Sequence, residues 1–114
     1  MKLNRSKIEL LADESGADDL ARKLAALGHP VRIAILRQLA NRDACCVKDV
    51  VGRVGLAQST VSQHIRVLVD AGLVSYRPQR QASSYSIDRG ALASLTDDVN
   101  GLLRGCCEDC TKTN

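Results

Sequence analysis

A mainly α-helical fold with one small β hairpin is what this sequence predicts, on three observations. Apolar residues recur at three- and four-residue spacing, from Leu20, Leu24 and Leu27 near the start to Leu92, Leu95, Val99 and Leu102 near the end. A short apolar segment around Val50 and Val51 leads through Gly55-Leu56-Ala57 into a longer segment with a polar outer face. Beyond it, Leu73 to Arg77 and Ser83 to Ile87 alternate apolar and polar side chains around the loop Pro78-Gln79-Arg80-Gln81-Ala82. Two short helices joined by a Gly-containing turn and followed at once by a hairpin make a winged helix-turn-helix.

Length and composition fit one small domain. The chain has 114 residues, 45% of them hydrophobic, with no Trp or Phe and only Tyr76 and Tyr85 aromatic. Leu, Val, Ile and Ala must therefore fill the core, which suits close helix packing and leaves stability marginal without a partner subunit. The expected organisation is a flexible arm over residues 1–16, a DNA-binding and dimerisation domain over 17–110, and a tail over 111–114.

Each element has its own local reason. Asp18 or Asp19 is available to cap a first helix over Asp18 to Leu27, which Gly28 ends. Pro30 suits the first turn of a second helix, where its missing donor costs nothing, and Val31, Ile35, Leu36 and Leu39 line that helix to about Asn41. His29 reads as a cap or surface residue rather than a metal ligand. After a connector from Asp43 to Cys46, Val47 to Gly52 forms a short third helix, and Gln58 opens the fourth. The closing helix runs from Ala91 to about Cys110. Its stripe of Leu92, Leu95, Val99, Leu102 and Cys106 exceeds what so small a core needs, so it is expected to meet its own copy and form a homodimer through the terminal helices.

The segment from Gln58 to Gly72 carries the functional signal. At about 100° per residue, Val61, Ile65 and Leu68 share one face, while Ser59, Gln63, Arg66 and Asp70 share the other with Ser62 on the shoulder. Ser, Gln and Arg bond base edges and phosphate oxygens. Charge follows the same geography. The net charge is a mild +3, but acidic residues gather early while Arg53, Arg66, Arg77, Arg80 and Arg89 crowd the middle. Arg77 and Arg80 fall on the hairpin, where they can reach a phosphate backbone. No segment is long and apolar enough to span a membrane, and a cytoplasmic protein is expected. An enzyme is not: the Cys107 to Cys110 C-x-x-C falls at a helix C-terminus, where the dipole disfavours a thiolate, and no βαβ pattern surrounds it.

The element order, together with L-G-H-P-V-R-I-A-I-L at 27–36 and Q-S-T-V-S-Q-H-I-R-V-L-V-D-A-G-L-V at 58–74, resembles the ArsR/SmtB family of bacterial metal-responsive repressors. The resemblance spans roughly residues 18–110. It implies a winged-helix homodimer that binds double-stranded operator DNA and leaves it when a metal or metalloid binds. It also implies that Ser59, Thr60, Ser62, Gln63, His64 and Arg66 read DNA, with Gln58 in the same first turn. Two metal motifs of the family are incomplete here. Cys46-Val47-Lys48 keeps one thiol of a C-V-C, and the last helix has no His.

Five cysteines in a reducing compartment favour metal or thiol chemistry over disulfides. Cys106, Cys107 and Cys110 fall at about 0°, 100° and 40° around a helix and so share one arc of its surface. Three soft sulfurs suit a thiophilic ion of low coordination number, and trivalent arsenic or antimony, As(III) or Sb(III), fits as the inducer. Some arsenite-responsive members of the family carry a similar Cys-Cys plus spaced Cys near the C-terminus. Adjacent helical residues diverge, so drawing three sulfurs onto one atom should distort the last turn, which Gly101 and Gly105 would ease. Other readings of the same residues are a thiol redox or sulfide sensor using the C-x-x-C, and a Zn, Cd or Pb site in which Cys45 and Cys46 join the tail thiols. Cys45 and Cys46 also read as small buried residues. A winged helix that makes protein contacts instead of DNA contacts is the remaining alternative.

Overall fold

Pro30, Gly55 and Gly72 punctuate the chain where the sequence places its turns, and the helices fall between them. The computed structural model describes residues 16–42, 44–80 and 83–112, with side chains through Cys107. The elements are α1 (Ala17–Leu27), α2 (Pro30–Ala40), α3 (Val47–Val54), α4 (Gln58–Asp70), β1 (Val74–Arg77), β2 (Ser84–Ile87) and α5 (Arg89–Lys112). The arm expected over 1–16, Gly16 apart, lies outside the described residues.

Two glycines set the geometry of the helix-turn-helix. Gly55 caps α3 at φ 78°, a left-handed conformation that L side chains rarely adopt, and its N–H donates to the Val51 carbonyl at 3.0 Å. The chain can then reverse within Leu56-Ala57 and start α4. At the far end Gly72, at φ 82°, donates to the Val69 carbonyl at 2.9 Å, and the Leu73 N–H reaches back to the Leu68 carbonyl at 3.0 Å. These are the two bonds of a Schellman cap. They turn the chain straight from the fourth helix into the hairpin.

The core is aliphatic, as the missing aromatics require. Ile35 and Leu39 from α2, Val50 from α3, Val61, Ile65 and Leu68 from α4, and Leu73 beyond it are almost completely buried. β1 and β2 pair antiparallel, with Val74 opposite Ile87 and Tyr76 opposite Tyr85. The pair gains a third member because Cys45 exchanges both backbone hydrogen bonds with Tyr85, at 2.9 and 2.8 Å. The segment before α3 is thereby tied to the wing.

Four expectations are corrected. Asp18 and Asp19 do not cap α1, whose N-cap is Gly16 at φ 66° without a side-chain cap bond. They sit one and two residues inside the helix, where their charge suits the dipole but their oxygens face outward. Asp19 instead bridges Arg22 at 3.0 Å and Lys23 at 2.9 Å, and these two cations, Lys23 first, hold its carboxyl below the usual range. α3 runs to Val54, because Val51 and Val54 still pack on the core. α5 begins at Arg89, after Asp88, whose carboxylate accepts from the Ala91 N–H at 3.0 Å, and its backbone stays helical to Lys112. Finally, the α5 stripe is split. Leu95 is buried and Leu92 and Val99 pack on the protomer's own core, so among the described residues the distal part, with Leu102 at 50% and Leu103 at 55% exposure, is the part left unserved.

Candidate nucleic-acid interface and sensor thiols

α4 is held from one side only. Val61, Ile65 and Leu68 lock it onto the core, and this leaves Gln58, Ser59, Gln63 and Arg66 exposed, with Thr60, Ser62 and His64 half-buried at the margins. Its N-cap is Ala57, which makes no side-chain cap bond. Among the described residues no side chain bonds the first amides of the helix, which is the arrangement that lets them donate to a backbone phosphate. The remaining two candidates, Arg77 and Arg80, are exposed on the wing. The structure thus brings the polar end of α4 and the basic wing onto the outside of one domain.

His64 differs from the other candidates. Its ring lies 4.5 Å from that of His29, tilted by 47°, so α4 is braced against the start of α2. His29 is the N-cap of α2, and its Nδ1 accepts from the Val31 N–H at 3.1 Å. Burial, then the proximity of His29 and Arg32, lowers the His64 pKa below 6.5. Folded protein therefore binds the His64 proton less tightly than unfolded protein does. The corresponding stability is present above about pH 6.5 and is lost as pH falls through the lowered folded value. Thermal melts from pH 7.5 to 5 should show Tm falling on the acid side, and His64→Gln should flatten that part of the profile. An unchanged slope in the variant would remove His64 as its source.

Sequence reasoning missed this histidine pair, because nothing in one sequence says that two helices 35 residues apart cross there. It also missed Tyr76 and Tyr85. Their rings pack at 5.2 Å, and with Ser62, Arg66, Val69 and Asp70 they line an open cleft of about 400 Å³ between α4 and the wing. The available signal was composition: the chain's two aromatic residues both fall on the hairpin.

The cysteines separate into two environments. Cys45 is a core residue, and burial pushes its thiol pKa up, so it stays protonated and is a poor ligand as it stands. Cys46 is the N-cap of α3, its thiol 3.4 Å from an Asp49 carboxylate oxygen. Cys106 and Cys107 are exposed free thiols on distal α5. The Cys110 backbone continues the same helix, while its side chain lies outside the described set. Among the described residues, no three His, Cys, Asp or Glu side chains converge on one point.

A model of the bacterial regulatory protein, arsR family, matches residues 29–76, from the α2 cap into β1. A protein of Bacillus subtilis named as an arsenical resistance operon repressor is 31% identical over 81 residues, 71% of this chain and 70% of its own. This chain belongs to the ArsR family. A cadmium resistance transcriptional regulatory protein CadC homolog of Staphylococcus aureus is 31% identical over 96 residues, 84% of this chain and 78% of its own. Among solved structures, a homodimeric winged helix-turn-helix DNA-binding domain from Mycobacterium bovis superposes with a TM-score of 0.64 at 26% identity, covering 91% of this chain and 90% of its own. The ArsR-family chain is accordingly a winged helix-turn-helix transcriptional regulator of repressor type and not an enzyme. No helix among its described residues is long and apolar enough to cross a membrane.

Proposed function

We propose that this ArsR-family protein is a homodimeric repressor of an arsenic-resistance type operon, released from double-stranded operator DNA when trivalent arsenic or antimony binds Cys106, Cys107 and Cys110. The observation that carries the reading is the placement of two exposed free thiols on the distal, unserved part of α5. A soft ion there reaches the thiol sulfurs without opening the core, and it does so beside the face that a second protomer would cover. Exposed Leu24, Leu102 and Leu103 supply that face.

On this reading the protein's own residues divide the work. α4 and the wing hold DNA, the distal part of α5 and α1 hold the partner, and the tail thiols bind the inducer as deprotonated soft donors. Drawing diverging sulfurs together bends the end of α5, and the dimer carries that change to both recognition helices. The measurement that tests it is fluorescence-anisotropy release from an operator duplex, titrated with arsenite, antimonite, Cd²⁺, Pb²⁺ and Zn²⁺. Release by the two metalloids at the lowest concentrations is expected. Release by the divalent ions alone would favour the soft-cation reading, which the similarity to the cadmium regulator also supports. Release by an oxidant or polysulfide in the absence of metal would favour a thiol redox sensor.

Helix stiffness gives a second handle. A Cβ at Gly105 would meet nothing within 4 Å in the protomer, so Gly105→Ala should stabilise the helix locally by about 1 kcal/mol. It should also raise the arsenite concentration for half-release several-fold. Equal sensitivity in the variant and the parent protein, read from the same titration, would exclude distortion of the last turns as the trigger.

A further inference from the structure

We propose that Tyr76, with its partner Ser83, is a DNA-contact residue that clamps a backbone phosphate between the recognition helix and the wing. Tyr76 is 48% exposed although it is one of only two aromatic residues in a chain short of large core side chains. Its ring rests on Tyr85 from the paired strand, and its hydroxyl shares a 2.8 Å hydrogen bond with the Ser83 hydroxyl. The ring is thus fixed by packing and the hydroxyl by a neighbour, which holds a polar group at the mouth of the cleft at little entropic cost. A side chain serving only as packing would bury its face and would not present a hydrogen-bonded hydroxyl pair to solvent.

The occupant follows from the other walls. Ser62 and Arg66 reach the same cleft from α4, four residues apart on one face, and they add a hydroxyl and a guanidinium. The hydroxyls of Tyr76 and Ser62 with the Arg66 guanidinium suit a singly charged phosphate diester. A helix in a major groove and a wing beside it straddle the sugar–phosphate strand that bounds the groove, so the strand is brought to this cleft. Asp70 also lines the cleft, four residues beyond Arg66 and eight beyond Ser62, about 12 Å along the axis from Ser62, so the anion is placed at the Ser62 end.

The inference rests on α4 being the DNA-reading helix, and the test separates the two. Tyr76→Phe keeps the ring and removes the hydroxyl. It should leave Tm unchanged and weaken binding about tenfold, equally for operator and for unrelated duplex DNA, because phosphate contacts carry no sequence. Ser83→Ala should give a smaller loss of the same kind. Arg66→Ala should lower the slope of log affinity against log salt by about two, roughly one for each protomer of the dimer, whereas Tyr76→Phe should not change it. Unchanged affinity in Tyr76→Phe overturns the proposal, and so does a loss confined to the operator, which would mark a base contact. Gln63→Ala is the control for the helix itself: if it leaves operator preference intact, the α4 reading fails whatever Tyr76 does.

Discussion

Ile65→Ala should destabilise the protein by about 2 to 5 kcal/mol, the largest single loss expected from the interior of the recognition helix. Ile65 is fully buried, one turn from Val61 and close to Leu68 on the same face, and α2, α3 and β1 all pack against that helix. The cost has two parts. One is the transfer energy of the lost methyl and methylene groups, and the other is the cavity that remains because aliphatic neighbours held in helices collapse only partly. Marginal domains have only about 5 to 15 kcal/mol in total, so the variant should be partly unfolded at growth temperature. Urea melts should show a lower midpoint with an unchanged slope, which separates lost stability from a changed unfolded state. Val67, two residues on, is 37% exposed, and Val67→Ala should cost well under about 1 kcal/mol. Equal losses at the two positions would mean that α4 does not dock by this face.

This contrast between Ile65 and Val67 shows why most of the fold was legible in the sequence. A helix docked on one side must alternate buried and exposed positions with a 3.6-residue period, and nothing distant can change that arithmetic. The turns were legible for the same local reason: Gly55 and Gly72 take up backbone that other residues avoid. The element ends were less so. Whether α1 is capped by Gly16 or Asp18 depends on how the preceding chain enters, and a single sequence does not record that. Contacts between elements were the least legible. Periodicity gives the α5 stripe from Leu92 to Cys106 as one face, but its division into an intramolecular half and an unserved half depends on where α5 crosses α1. The His29 and His64 contact, the Cys45 bridge to Tyr85 and the Tyr76 cleft are all tertiary events between residues whose neighbours in sequence give no sign of them.

The cysteines show how function depends on such placement. By residue type all five are equivalent soft ligands; helical spacing groups Cys106, Cys107 and Cys110, and the fold adds that Cys45 is buried while Cys106 and Cys107 are exposed. Replacing Cys106, Cys107 and Cys110 together by serine should leave operator affinity within about threefold of the parent protein and abolish release by arsenite. The first expectation follows because Cys106 and Cys107 are exposed, so serine at those positions leaves no cavity and no unpaired buried hydroxyl. The second follows because a hydroxyl keeps its proton at neutral pH and does not replace a thiolate toward a soft ion. Cys46→Ser should respond to arsenite normally. Cys45→Ser should respond at similar arsenite concentrations but melt lower, since it places a hydroxyl in an apolar, buried position. Anisotropy titrations read beside thermal melts separate the two effects, because a folding defect lowers DNA binding at zero arsenite whereas a sensing defect does not. If the triple variant still released DNA on arsenite addition while Cys46→Ser did not, control would lie at the start of α3, beside the recognition helix, and the dimer face of α5 would have no part in the switch.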